Sequence, residues 1–108
     1  MAQKIPKKIK EDIIKYVDEL KRDIPVDRVV VFGSYAKGNF TSKSDIDLAI
    51  ISDFFSKKGS NNSFLFRKLW NVENSNIDPV GYSNKDYSSD TPSPLLSEIR
   101  RIGRTLYV

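Results

Sequence analysis

The sequence has 108 residues, of which 39% are apolar and 30% charged, and this composition predicts one globular domain with a single core. It contains neither Cys nor His, which excludes disulfides, thiol nucleophiles, thiolate zinc sites and catalysis by histidine. No apolar run approaches the ~18 residues of a membrane span and the start lacks a secretory signal, so we expect a cytoplasmic protein without membrane contact.

Residues 6–23 have the apolar period of an amphipathic helix. The apolar positions recur at steps of four, four, three and four residues, as on one helical face: Ile9, Ile13, Val17, Leu20 and Ile24. Pro25 cannot continue a helix, so it ends the pattern. The charged residues between the apolar positions predict a solvated face, and this helix is expected to serve packing.

Two β-like runs follow, residues 29–32 and 46–51, separated by a loop rich in Gly, Ser, Thr, Asn and Lys. Gly33-Ser34 closes the first run, and an Asp-x-Asp pair opens the second. If the two runs pair antiparallel, the end of one lies beside the start of the other. A hydroxyl, backbone amides and two carboxylates are then expected to meet at one edge of the sheet.

The Asp-x-Asp pair predicts a metal site. Strand side chains alternate between faces, so Asp45 and Asp47 point the same way, while Ile46, Leu48 and Ile50 point into a core. The Cα atoms of the two Asp residues are expected roughly 6.6 Å apart. Carboxylates this close repel each other unless a cation lies between them, and oxygen ligands suit Mg²⁺ or Mn²⁺.

Gly-Ser alone is a common turn, and Asp-x-Asp alone is a common solvated strand end. Together, Gly33-Ser34, ten intervening residues and Asp45-Ile46-Asp47 resemble the signature of the polymerase-β-type nucleotidyltransferase superfamily, in its minimal branch. The resemblance is sharp over residues 29–51 and general elsewhere. It implies an α+β, palm-like fold, with a small mixed sheet of three or four strands packed against helices. We expect helices near residues 6–23, 62–73 and 93–103, a short helix after Ser34, and a single minimal nucleotidyltransferase domain over residues 1–108.

Three residues are expected to bind the nucleotide. Gly33 and Ser34 would offer amide N–H groups and a hydroxyl to phosphate at the start of the short helix, aided by its dipole. Lys37 stands where related enzymes often have an Arg that faces the phosphates, but it supplies a point charge without a bidentate fork. A plain surface lysine is the alternative. Ser44 is expected to organise the entry to the second strand.

Aromatic residues concentrate in one region of the chain. A helix over residues 62–73 would place Phe66, Leu69 and Trp70 on one stripe. Most members of the aromatic group are expected in the core, and any exposed remainder would mark a partner surface. The group comprises Phe54, Phe55, Phe64, Phe66 and Trp70.

Residues 76–82 predict a third strand, and Pro79 places it at a sheet edge because proline cannot donate to the ladder. If a helical crossover brings this strand beside the Asp-x-Asp strand, Asp78 becomes the third carboxylate of the site. In the family that the chain resembles, such an Asp helps to bind one metal ion and activates the attacking hydroxyl. Asp86 and Asp90 are weaker candidates for this role, since they fall in a loop-like stretch.

The last helix, near residues 93–103, carries a core pattern of Leu95, Ile99, Ile102 and Leu106. Basic residues project elsewhere on it: Arg100, Arg101 and Arg104. They predict a solvated face, with a patch for RNA or an acidic protein as the alternative.

The resemblance also implies a reaction and a partner. The reaction is transfer of AMP from ATP to an acceptor hydroxyl, with two Mg²⁺ ions, or Mn²⁺, held by Asp45, Asp47 and Asp78. Minimal nucleotidyltransferases of this size often act as antitoxins that adenylylate a HEPN-domain ribonuclease. The alternatives are a module that neutralises its partner by contact alone, a nucleotidyltransferase for small molecules, and a basic RNA-binding module.

Overall fold

The structure, a computed structural model, describes residues 5–56, 63–72 and 76–107. The helices are α1 (Lys7–Lys21), α2 (Ser34–Lys37), α3 (Ser63–Lys68), α4 (Asn84–Tyr87) and α5 (Pro94–Ile102). The strands are β1 (Arg28–Phe32), β2 (Ile46–Ile51), β3 (Ile77–Tyr82) and β4 (Arg104–Tyr107). Turns of 3-10 helix occupy Asp53–Ser56 and Leu69–Asn71. No helix in these described ranges is long and apolar enough to cross a membrane.

The four strands form one mixed sheet in the order β3-β2-β1-β4. The central strand β1 pairs antiparallel with both β2 and β4, and β2 pairs parallel with β3. The expected α+β fold and its mixed sheet are confirmed, and β3 lies at an edge, as Pro79 predicted. The sequence pattern did not place the fourth strand, because its residues read as a continuation of the last helix.

Both faces of the sheet are covered, and the alternation of side chains divides the core in two. Val29, Val31, Leu48 and Ile50 belong to the first core, which α1 and α3 cover. The second core lies on the opposite face, where Ile99 of α5 packs on the sheet, and it contains Val30, Phe32, Ala49 and Ile51. β2 is therefore buried on both sides, which is typical of a strand with a parallel neighbour.

α1 has the predicted buried stripe. A hydrogen bond also links this helix to α3. The fully buried Tyr16 hydroxyl donates a hydrogen bond of 2.7 Å to the carbonyl of Leu65. Burial raises the pKa of Tyr16 far above its usual value, so the hydroxyl remains protonated and able to donate. This bond joins two helices through residues that are 49 positions apart in sequence.

The predicted stripe on the third helix is wrong. The fully buried residue is Leu65, whereas Phe66 is 47% and Trp70 is 91% exposed. Phe66 lies inside the α-helix, where its neighbour Leu65 is buried instead. The α-helix ends at Lys68 and the next turn is a 3-10 helix with three residues per turn, which shifts the face on which Trp70 lies. Sequence spacing counted at 3.6 residues per turn could not locate this change.

The core pattern predicted for the last helix also needs correction. Leu96 and Ile99 are buried, whereas Leu95 is 43% exposed. Ser93 caps the helix by accepting a hydrogen bond of 3.2 Å from the N–H of Leu96. α5 ends at Ile102, so Leu106 and Arg104 belong to β4 rather than to the helix.

Candidate active site

The ends of three strands meet at one place in the sheet. Phe32, the last residue of β1, pairs with Asp47 of β2, and Asp47 pairs in turn with Asp78 of β3. Gly33 follows Phe32 directly, so the register places the glycine and two of the predicted carboxylates side by side. The helical crossover from β2 to β3 that the sequence required is the one observed.

These carboxylates lie on the α5 side of the sheet. Along β2, Asp47 shares its face with Ala49 and Ile51, which belong to the second core. Along β3, Asp78 shares its face with Val80, which packs against the same core. The strands thus place both acidic side chains on the side of the sheet that α5 covers.

An open cavity of about 360 Å³ lies at this edge. Four of the six predicted site residues line it: Gly33, Lys37, Asp47 and Asp78. The other lining residues are Phe32, Pro79, Val80, Leu95 and Glu98. Neither of the remaining two lines the cavity: Ser34 follows Gly33 directly, and Asp45 is separated from Asp47 by Ile46.

Gly33 occupies its position for a steric reason. Its backbone has φ 68° and ψ −146°, a region that side-chain-bearing residues avoid. A Cβ atom added here would overlap Oδ2 of Asp47 and lie 3.1 Å from its Cγ. The backbone of the turn therefore lies directly against the Asp47 carboxylate.

The short helix after Gly33 is too short to provide the dipole that the sequence analysis expected to help bind phosphate. α2 has four residues, so it contributes one turn of aligned peptide dipoles and only a small macrodipole. Its first N–H groups have no intrahelical acceptor and can still face an anion. Any hold on phosphate here rests on local N–H groups and on the Ser34 hydroxyl.

The acidic residues of this edge influence each other. Burial, and then the negative charges of Asp78, Asp45 and Glu98, raise the pKa of Asp47 above its usual value. No three acidic side chains within residues 5–56, 63–72 and 76–107 are gathered into a ready metal-binding cluster. The donors are nevertheless hard carboxylate oxygens in mutual repulsion, and a divalent cation such as Mg²⁺ suits both properties.

Lys37 has a partner that the sequence did not predict. Its Nζ atom lies 3.4 Å from Oε1 of Glu98 on α5. Glu98 follows the exposed Leu95 by three residues, so the two share one face of the helix and line the cavity together. The sequence does show that Glu98 follows Leu95 by three residues. Because Leu95 was predicted to be in the core, the face of α5 that carries Leu95 and Glu98 was not recognised as part of the site.

The loop between α2 and β2 is fixed at both ends. The Tyr35 and Phe40 rings stack with centroids 4.5 Å apart, and the N–H of Thr41 donates to Oγ of Ser44 at 2.8 Å. Ser44 thus organises the entry to β2, as expected. Asp45 follows it as an exposed residue just before the strand begins.

The other candidates lie elsewhere. Asp86 is in α4 and donates its N–H to the capping Ser83 hydroxyl, and neither it nor Asp90 lines the cavity. Arg100 donates to the carbonyl of Ser89 at 2.8 Å. Arg104 lies in β4 opposite Val31, so the predicted basic patch is divided between two elements.

Comparison with known proteins agrees with this architecture. Residues 13–101 match the nucleotidyltransferase domain family. Two relatives come from Methanocaldococcus jannaschii. "Putative protein adenylyltransferase MJ0141" is 41% identical over 46 residues, which cover 37% of this chain and 46% of the relative. "Putative protein adenylyltransferase MJ0604" is 46% identical over 28 residues, covering 26% and 28%. The chain spans less than half the length of either relative.

Solved structures show the same fold. A putative nucleotidyltransferase from Sulfolobus solfataricus superimposes with a TM-score of 0.57 at 21% identity, over 73% of this chain and 70% of that one. A crystal structure described as the toxin-antitoxin with AMP-PNP gives a TM-score of 0.58 at 26% identity, over 91% and 72%. Since the family match also spans most of the sequence, this chain belongs to the nucleotidyltransferase domain family.

Proposed function

We propose that the protein transfers AMP from ATP to a hydroxyl group on a partner protein, as the antitoxin of a pair with a HEPN-domain ribonuclease. The register that sets Gly33, Asp47 and Asp78 side by side at the cavity carries the chemical part of this proposal. The biological part draws support from relatives named protein adenylyltransferases and from a similar structure described as a toxin-antitoxin with AMP-PNP.

Asp45, Asp47 and Asp78 would hold two Mg²⁺ ions, or Mn²⁺, through carboxylate oxygens. When bound, these ions supply Lewis-acid stabilisation of the phosphates and lower the pKa of the acceptor oxygen. Gly33, Ser34 and Lys37 bind the triphosphate. The acceptor oxygen forms a bond to the α-phosphorus, the bond from that phosphorus to the bridging oxygen breaks, and pyrophosphate leaves. Asp78 accepts the proton of the acceptor hydroxyl.

The size of the cavity favours a large acceptor. About 360 Å³ is near the lower end of the range for small-ligand sites, so the nucleotide takes up most of the space. A small alcohol or aminoglycoside would have few residues to hold it in line with the α-phosphorus, and such positioning supplies much of the rate. A protein acceptor brings its own surface for that purpose, and a tyrosine hydroxyl is our choice of acceptor group.

The exposed aromatics provide a docking surface for the partner in this proposal. Phe66 and Trp70 are the exposed members of the aromatic group. Phe54, Phe55 and Phe64 are partly buried against the first core. Aromatic anchors commonly dominate protein interfaces, and Trp is among the commonest of them.

Mass spectrometry of the complex with the co-expressed partner tests the proposal. After addition of ATP and Mg²⁺ we expect one specific adenylyl adduct on a partner tyrosine. We expect none when the Asp45→Asn/Asp47→Asn variant replaces the wild type. Equally tight complexes and equal inhibition of the partner in both proteins, with no adduct in either, would instead establish neutralisation by contact alone.

The role of Asp78 can be separated from that of its acidic neighbours. Asp78→Asn should lower the rate of AMP transfer at least about a hundredfold, because it removes the proton acceptor and a metal ligand together. Asp86→Asn is the matched control, since it removes the same charge from the first helix after β3 but outside the cavity. Equal losses in the two variants, measured with labelled ATP, would remove Asp78 from the site.

A further inference from the structure

The ion pair of Lys37 and Glu98 crosses the cavity wall between α2 and α5. The two atoms are 3.4 Å apart, and the side chains are 47% and 37% exposed, so incoming solutes can reach both. Each residue also lines the cavity. The pair is therefore part of the surface that a nucleotide meets.

Lys37 forms an ion pair with Glu98, although two other carboxylates line the same cavity. Among the described residues, Glu98 is the acidic side chain within ion-pair distance of Lys37, while Asp47 and Asp78 of the same cavity pair with no Lys or Arg. The ammonium is thus drawn to the helix wall rather than to the strand ends. Lysine carries a compact charge on a flexible stem, so it can exchange one anionic partner for another.

The position of the Glu98 backbone is fixed by its helix. Its helix is anchored by Leu96 and Ile99, which are buried. The backbone of Glu98 is thus held beside the cavity, and its charge is close enough to Asp47 to raise the pKa of that residue. It therefore adds a third acidic side chain, beside Asp47 and Asp78, to a cavity that must admit a triphosphate.

We propose that Glu98 sets the affinity for the nucleotide by competing with the triphosphate for Lys37. This inference rests on the proposed function, since it takes a nucleoside triphosphate as the ligand of the cavity. Binding exchanges the Lys37–Glu98 pair for a pair of Lys37 with phosphate. Exposed ion pairs are individually weak, so the competition is worth roughly a threefold to fivefold change in affinity.

Calorimetry with a nonhydrolysable ATP analogue and Mg²⁺ tests this competition. Glu98→Gln should bind the analogue roughly threefold to fivefold more tightly than the wild type. In a Lys37→Ala background the same substitution should tighten binding clearly less, because only the direct repulsion between Glu98 and the phosphates remains. Transfer assays should show a lower KM for ATP, in proportion to the tighter binding of the analogue.

Glu11→Gln on the exposed face of α1 controls for the loss of one negative charge. Weaker or unchanged binding by Glu98→Gln would overturn the proposal, as would equal tightening in the Lys37→Ala background or in Glu11→Gln. If the analogue binds as expected but no AMP is transferred, the competition stands and the proposed reaction fails. If the wild type does not bind the analogue, both fail.

Discussion

Replacing Asp45 and Asp47 together by Asn should abolish AMP transfer while leaving the fold intact. The substitution removes the charged oxygens proposed to hold metal beside Gly33, so we expect at least about a hundredfold loss of rate. Calorimetry with the ATP analogue should show that metal-dependent binding disappears as well. The matched control is Asp86→Asn/Asp90→Asn, which removes the same two charges outside the cavity. Metal-dependent binding that survives in the Asp45/Asp47 variant would exclude these residues from the site.

Stability should respond to Asp47 in the direction opposite to activity. Because burial and neighbouring carboxylates raise its pKa, the ionised side chain destabilises the folded protein at neutral pH. The folded state binds the proton more tightly, so this cost is relieved as the pH falls through the raised pKa. In metal-free buffer, Asp47→Asn should raise Tm at pH 7, and the gain should vanish below the usual value of 3.8. A lower Tm at pH 7 would contradict the repulsion between these carboxylates.

Gly33→Ala should damage both the fold and the site. Alanine is strained at a positive φ, which destabilises the folded state. Its Cβ would also displace the Asp47 side chain, because it overlaps Oδ2 of that residue. We expect a loss of about 2 to 4 kcal/mol in the free energy of unfolding. Binding of the ATP analogue should be lost even at temperatures where circular dichroism shows the variant to be folded.

Gly38→Ala is the matched control for this substitution. Gly38 also has a positive φ, of 80°, but it ends α2 outside the residues that line the cavity. The Gly38→Ala variant should lose about 1 kcal/mol in the free energy of unfolding, because alanine is strained at this positive φ. Its nucleotide binding should be unchanged. If both variants bind the analogue like the wild type, the contact between Gly33 and Asp47 has no part in the site.

The sequence could predict the part of the site that pairing of β1 with β2 brings together. Gly33 and Asp47 are brought together by β1 and β2, whose apolar runs and turn residues were readable from the chain. Asp78 needed one further step, because Pro79 marks an edge strand and a parallel neighbour must be reached by a crossover. These are local patterns combined with one rule of topology.

What the sequence could not predict depends on the angular position of helices. Leu95 and Leu96 are adjacent, and only packing against the sheet decides which of them is buried. The same packing brings Glu98 to Lys37, 61 positions earlier in the chain. In α3, the sequence pattern favoured the larger aromatic side chains for the core, whereas packing buries Leu65.

The sheet, and not the intervening loop, determines where Gly33 stands relative to Asp47. The ladder from Arg28 opposite Ile51 to Phe32 opposite Asp47 fixes that distance, and burial of β2 on both faces prevents the strand from slipping. Residues between Phe40 and Ser44 are therefore not needed to bring Gly33 and Asp47 together. Doubling the length of a loop costs only about 0.6 kcal/mol. An insertion in this segment should accordingly cost little stability and leave the contact between Gly33 and Asp47 in place.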